Sequence, residues 1–277
     1  MSSQPVMVLK RSGEYEPFSE RKVRSSLERA GAERELTDEI VGHVREKLYD
    51  GISTKEIYGH VFALLRELRS PLVSKYDLKR AIMQLGPSGF PFERFVAGIL
   101  EARGYRVAVG QTLQGKCVDH EIDVIAHKDK KHFMIEAKFH NLPGTRSDIR
   151  DALYTYARFL DVEKAWVQIS GHRQHFHQAW LVTNTKVTSK VKEYAKCVGL
   201  GVISWDYPPQ GSLRSLIEES GLLPVTCLTS LGQAEKRKLL EAGMVFCRDL
   251  MERNVDFLPP DLVETARQEA WTTCRKG

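Results

Sequence analysis

The chain has 277 residues, 42% hydrophobic and 28% charged, with 41 Lys+Arg against 36 Asp+Glu for a net charge of +5. That length suits two or three small domains, and the balance of apolar and charged residues excludes extensive disorder. No apolar run reaches the roughly 18 residues of a membrane span, residues 1–11 lack a signal peptide's apolar stretch and cleavage site, and the five cysteines lie scattered with no CxxC pair, which excludes a zinc ribbon and points to the reducing cytoplasm.

The first segment is residues 1–89. It opens with a strand-like stretch, Val6 to Leu9, and a turn at Ser12-Gly13. Ser19 is placed as the N-cap of a helix running to Ala30, with Val23, Leu27 and Ala30 as its apolar stripe. Two further helical patterns cover 38–48 and 54–69, and a fourth starts near Ser74 and stops at Gly86-Pro87-Ser88-Gly89, which marks a boundary. Lys10, Arg11 and Lys22 put three positive charges around a turn and a helix N-terminus, a fit for a triphosphate. No Gly-Lys-Ser/Thr follows the glycines, so a P-loop ATPase is excluded.

Val8-Leu9-Lys10-Arg11-Ser12-Gly13, Phe18-Ser19, Lys22-Val23, the run Tyr49 to Thr54, Ile57-Tyr58 and Lys75-Tyr76 together resemble the ATP-cone, a mostly α regulatory domain that binds ATP or dATP in ribonucleotide reductases and their repressor. The resemblance implies nucleotide-binding roles for Val8, Lys10, Arg11, Glu16, Ser19, Lys22, Thr54 and Tyr58. Val8 and Glu16 would help seat the base, and Thr54 and Tyr58 would close the pocket.

The second segment, residues 90–207, interleaves helices and strands and reads as an α/β domain with a mixed sheet. A helix over 92–103 buries Phe92, Phe95, Val96, Ile99 and Leu100. Strands follow at 106–109, 120–127 and 132–139, then a helix at 147–160, strands at 165–170 and 179–183, a helix at 188–198 and a last strand at 202–205. Pairing His127 with His132 sets Asp123 opposite Glu136. Alternation then gathers Ile122, Val124, Ala126, Phe133, Ile135 and Ala137 on a core face, with Glu121, Asp123, Glu136 and Lys138 on the other. Carboxylates that close repel one another unless a cation lies between them, and oxygen-only ligation suits Mg²⁺ or Mn²⁺. Lys138 can orient an attacking water or stabilise developing negative charge. On geometry alone the same face also reads as an exposed sheet surface dressed with charges.

Asp123 and then Glu136-Ala137-Lys138, after the helix start Phe92-Glu93 and the turn Gly104-Tyr105, resemble the PD-(D/E)XK nuclease fold and, more narrowly, the Mrr-like restriction endonucleases. Trp180 to Asn184, Val187-Thr188, Tyr194-Ala195 and Ile203-Ser204-Trp205 extend the likeness. It implies a metal-dependent endonuclease acting on DNA, with Asp123, Glu136 and the Ala137 carbonyl as metal ligands. Lys138 would be the catalytic lysine, with Glu93 near the metal. The approach sequence Lys116 to Asp123 departs from the family's pattern, and Asp119 or Glu121 could share metal duty. His172, Arg173, His175 and His177 have no nearby cysteine and read as a basic loop for DNA phosphate, with zinc the lesser reading. Gln168, on a strand beside the site, reads first as a core-edge glutamine, with contact to substrate the lesser reading.

Residues 213–277 read as all-α. Leu228 to Gly232, Leu239-Leu240 and Gly243-Met244-Val245 resemble a helix-hairpin-helix-like unit that would hold DNA or mediate oligomerisation, with Lys236, Arg237 and Lys238 as a phosphate patch or a solvated helix face. Cutting both strands needs two active sites, so a homo-oligomer is expected. The rival readings are a nucleotide-responsive DNA-binding regulator without cleavage and a structure-specific repair or junction nuclease.

Overall fold

The computed structural model describes residues 5–10, 13–68, 72, 76–142, 144–169 and 176–274. In the N-terminal part, strand β1 (Met7–Leu9) lies between β2 (Tyr15–Pro17), antiparallel to it, and β3 (Ile52–Ser53), parallel to it. Helices α1 (Glu20–Ala30), α2 (Arg34–Glu46) and α3 (Thr54–Glu67) cover this small sheet. Val8, Leu27, Ile40, Val44, Ile52, Val61 and Leu65 are buried together as its core. α3 is fixed at its start by a reciprocal capping box between Ser53 and Glu56, which satisfies two backbone N–H groups that the helix leaves open.

Helix α4 (Leu78–Met83) leads through Gly86 into α5 (Phe90–Ala102). The central sheet has the order β10-β8-β6-β5-β4, formed by β4 (Arg106–Gln114), β5 (Asp119–Lys128), β6 (Lys131–Lys138), β8 (Phe176–Thr183) and β10 (Gly201–Ile203). The β4–β5 and β5–β6 pairs are antiparallel, whereas β6–β8 and β8–β10 are parallel. A two-stranded ribbon of β7 (Arg146–Ser147) and β9 (Lys186–Val187) stands beside it. One face packs on α5; the other is covered by α6 (Ile149–Ile169) and α7 (Ser189–Val198).

Four expectations need correction. The strand placed at 165–170 is the continuation of α6 as far as Ile169, and Ser170 lies outside the described residues. Its buried positions, Ala152, Thr155, Arg158, Val162 and Ala165, keep helical spacing past residue 160. The face opposite α5 is not an open charged surface, because Met134 is buried on it beneath α6. Ile122, expected beside Val124, is buried with Met134 and Ala152 instead. β4 also runs five residues past its expected end at Val109, through Gly110, whose φ of 63° only glycine adopts at little cost. The β4–β5 ladder passes from Val109↔Val124 to Gln111↔Ile122 across that glycine, and side-chain alternation fails there.

The C-terminal part is helical: α8 (Leu213–Ser220), a 3₁₀ turn at Val225–Cys227, α9 (Gln233–Glu241), α10 (Asp249–Glu252) and α11 (Pro260–Cys274). These elements have no core of their own. Leu216, Val225, Leu239, Phe246 and Ala266 join one apolar cluster with Ala81 and Ile82 of α4, Phe92 and Phe95 of α5 and Val124 and Ile135 of the sheet. Phe95 and Phe246 stack at 5.0 Å between centroids.

Candidate active site at the open end of a hairpin

The β5–β6 hairpin forms because Ile125, Ala126, Phe133 and Met134 alternate with each other across it, and its register pairs His127 with His132 as expected. The regular ladder ends at Val124↔Ile135. Beyond it the Asp123 carboxylate accepts a hydrogen bond from the Ala137 N–H through Oδ2 at 2.7 Å, so the strand end is closed by a side chain instead of a backbone pair. This holds Asp123 against Glu136-Ala137-Lys138.

Glu136 is mostly buried, its side chain 14% exposed, and it accepts a bond from Arg158 Nη1 of α6. The same guanidinium donates through Nη2 to the Glu121 carbonyl, and among the described residues its buried Nε has no partner. Tyr154, one turn earlier, lays its ring 5.1 Å from the Arg158 guanidinium carbon. Arg158 was not singled out by sequence reasoning. Its one signal is a charged residue at a helical spacing whose other members are apolar or small. Lys138 is half-exposed, with its Nζ 3.7 Å from Asp151 Oδ1.

Glu93 comes from the first turn of α5. That turn is set against the end of β6 by the Phe92–Phe139 ring contact at 5.6 Å and by Gly86, where a Cβ would lie 2.4 Å from Phe139 Cε1. Burial pushes the Glu93 carboxyl up to about 7, and the charges of Asp123 and Glu121 push the same way. Glu136 is likewise pushed up to about 7, by burial first and then by Asp123. Asp123 is raised by burial, against the opposing Ala137 N–H and Arg158. Three carboxyl groups thus face one another in a partly dry recess with two cations beside them. Among the described residues, no group of three or more His, Cys, Asp and Glu side chains converges closely enough to hold a metal ion unaided. Asp119 is exposed at the far end of β5, and Glu121 is exposed beside Asp123.

After Lys138 the chain is buckled to the end of β8. The His140 N–H donates to Asn184 Oδ1 at 2.9 Å, and the His140 ring meets Ser147 Oγ at 2.8 Å, which donates to Thr183 Oγ1 at 3.1 Å. Lys79 of α4 donates to the Asn184 carbonyl and lies over the Trp205 ring. The N-terminal part therefore touches the strand ends that carry the site. His177 is described, and its Nδ1 accepts from the His132 N–H at 3.1 Å. His172, Arg173, His175 and the Gln168 side chain lie outside the described residues.

In the N-terminal part, Glu16 on β2 joins Lys10 and Lys22, each at 2.9 Å. Lys22 and then Lys10 hold the Glu16 carboxyl below its usual value. Ser19 is the N-cap of α1, but its hydroxyl makes no capping bond, so the first N–H groups of α1 are not closed by it. Val8 is buried in the small core, and Thr54 is exposed at the start of α3. Tyr58 is not brought to the Lys10–Glu16–Lys22 group: its ring stacks on Tyr76 at 5.1 Å and its hydroxyl faces Asp77. Arg11 lies outside the described residues.

Comparison with known families matches residues 6–80 to the ATP cone domain, residues 86–208 to the restriction endonuclease family of the Mrr catalytic type, and residues 223–260 to the family described as AF1548-like, C-terminal. An uncharacterized protein of Archaeoglobus fulgidus is 42% identical over 156 residues, which span 56% of this chain and 83% of that protein. The crystal structure of the protein of unknown function AF1548 superposes with a TM-score of 0.57 at 36% identity, covering 68% of this chain and 98% of that one.

Proposed function

The chain belongs to the AF1548-like family, with an ATP cone domain ahead of an Mrr-type restriction endonuclease domain, and from that premise we propose that it is a divalent-metal-dependent DNA endonuclease governed by ATP or dATP. The observation that carries the reading is the meeting of Asp123, Glu136 and Lys138 at one hairpin end, with Asp123 tied to the Ala137 N–H at 2.7 Å.

The donors fit a hard divalent cation. Buried carboxylates that raise one another's proton affinity are relieved by a charge of +2, and Asp123, Glu136 and the Ala137 carbonyl offer oxygen alone, with water completing the shell. When bound, Mg²⁺ or Mn²⁺ supplies a Lewis acid that polarises the phosphoryl oxygen and stabilises the leaving 3′ oxygen. The protein's own groups do the rest. The Ala137 N–H and Arg158 fix the orientation of the two ligand carboxylates. Lys138 donates to the attacking water and to the phosphate, where negative charge builds. Glu93 closes the recess from the helix side. Water attacks phosphorus and gives up a proton to bulk solvent, the P–O3′ bond breaks, and the 3′ oxygen takes up a proton from solvent, which leaves a 5′-phosphate and a 3′-hydroxyl.

The ATP or dATP phosphates are assigned to Lys10, Arg11 and Lys22 beside the open N-terminus of α1, with Val8, Glu16, Ser19 and Thr54 as the other residues of that pocket. Residues 1–89 form the regulatory unit, 90–207 the nuclease and 213–277 a helical unit that supports DNA binding or self-association. The enzyme acts as a homo-oligomer in the cytoplasm. Among the described residues no helix is long and apolar enough to cross a membrane.

The deciding experiment incubates supercoiled plasmid with the full chain in Mg²⁺ or Mn²⁺, with and without ATP or dATP. Nicked or linear product from the native chain, lost in Asp123→Asn and in chelator, is expected. Equal cutting by Asp123→Asn would overturn the assignment.

A further inference from the structure

A cleft of about 180 Å³ separates α3 and α4 from the start of α9. Arg66, Arg80 and Lys236 line it with a single carboxylate, Asp77, which leaves the wall two charges positive. None of the residues assigned above to nucleotide or metal lies on it.

Lys236 was expected on a solvated helix face with Arg237 and Lys238. Those two are exposed, but Lys236 is only 9% exposed, and among the described residues its side chain makes no hydrogen bond and no ion pair. Its aliphatic stem is buried and it lines the cleft, where a counter-charge can reach the ammonium. Glu269 and Asp77 lie near enough to favour its charge, but neither pairs with it. Glu269 accepts from the Thr229 and Ser230 N–H groups at 2.6 and 2.8 Å, and Asp77 lies 3.7 Å from Arg80. Burial also lowers the Lys236 pKa. One buried group on the same wall is unsatisfied: among the described residues Gln84 Oε1 has no partner.

Both needs are met by one ligand class. The volume holds about six water molecules, below the roughly 300 Å³ at which pockets for larger organic ligands begin, so a whole nucleotide does not fit. A dianion matches the surplus of two positive charges. Guanidinium groups and an ammonium together suit a tetrahedral oxyanion. Monohydrogen phosphate also carries one O–H, the donor that Gln84 Oε1 lacks. A DNA diester has neither the second charge nor that hydroxyl, and sulfate has no hydroxyl. We infer that this cleft binds a phosphate dianion, held by Lys236, Arg80 and Arg66, and that the bound ion clasps the N-terminal helices to the C-terminal ones.

The test measures binding of inorganic phosphate to the full chain by calorimetry and by thermal shift at matched ionic strength, with sulfate and a short DNA duplex as the other arms. Phosphate is expected to bind at one site and raise the melting temperature, with sulfate at least several-fold weaker. Lys236→Met should weaken phosphate at least tenfold, yet melt no lower than the native chain in phosphate-free buffer, because it removes a charge that burial disfavours. Arg66→Gln, at an exposed position, should weaken phosphate several-fold and keeps the test open if Lys236→Met fails to fold. Equal phosphate affinity in the native chain and both variants, sulfate binding as tight as phosphate, or a Lys236→Met effect confined to the duplex would each overturn the inference.

Discussion

Replacing Lys138 by Met separates chemistry from folding. The Lys138 side chain is 45% exposed, and its ion pair with Asp151 spans 3.7 Å. At water's dielectric that separation gives a gross attraction of about 1 kcal/mol, and the ordering of two side chains and screening by salt reduce exposed pairs to ~0.2–1 kcal/mol. Lys138→Met should therefore shift the melting temperature by no more than about 4 °C, the change that ~1 kcal/mol makes in a chain of this size. In the cleavage reaction the same ammonium faces charge that develops only in the transition state, where removal of one such donor costs about 10²–10³ in rate. The assay is initial nicking of supercoiled plasmid in Mg²⁺ and in Mn²⁺, paired with thermal melts of the same preparations. Cleavage within threefold of the native rate, or a loss of activity matched by a large drop in melting temperature, would refute the assigned role.

Arg158→Met strands the Glu136 carboxylate in a mostly buried position and should cost about 3 kcal/mol in urea unfolding; the double variant with Glu136→Gln should recover part of that, and a double variant as unstable as the single would dissolve the pairing. Ser53 and then Tyr49 hold the Glu56 carboxyl down to about 2, below its unfolded value, so its contribution is present above about pH 4.5 and is lost as the pH falls through 2. The stability gap between the native chain and Glu56→Gln should thus close between pH 5 and pH 2, and a gap constant with pH would contradict this. Lys10→Ala combined with Lys22→Ala should weaken ATP or dATP at least tenfold in titration calorimetry while α1–α3 stay folded by circular dichroism; unchanged affinity would move the nucleotide elsewhere.

The parts legible in the sequence are those whose partners are local. The hairpin register could be read because only Asp129-Lys130 separate its strands, and alternation then fixes which residue faces which. The first helices could be read from their apolar stripes. Arg158 could not, since its meaning comes from strands more than 20 residues away, and a lone arginine on an apolar stripe has no local signature. The end of α6 was misread because Val167-Gln168-Ile169 is a β-favouring triplet, whereas the deciding contact, Trp166 against Phe176 at 5.0 Å, is tertiary. The kink at Gly110 was taken for a strand end, because glycine marks a stop and a bend equally well. Strands of two or three residues such as β2 and β3 hold too few positions to show a period at all.

The placement of α4 bears on how such chains can be rearranged by gene fusion or by a protein engineer. Thr226 Oγ1 bonds the Ala81 carbonyl at 2.7 Å, and Leu78, Ala81, Ile82 and Leu85 sit in the same apolar cluster as Phe92 and Val225. A splice that discards everything ahead of residue 90 would strip the roof from the catalytic half and leave a sticky, aggregation-prone bed. The workable seam is upstream of α4, so an incoming sensor would have to be grafted onto a helix that the recipient already owns.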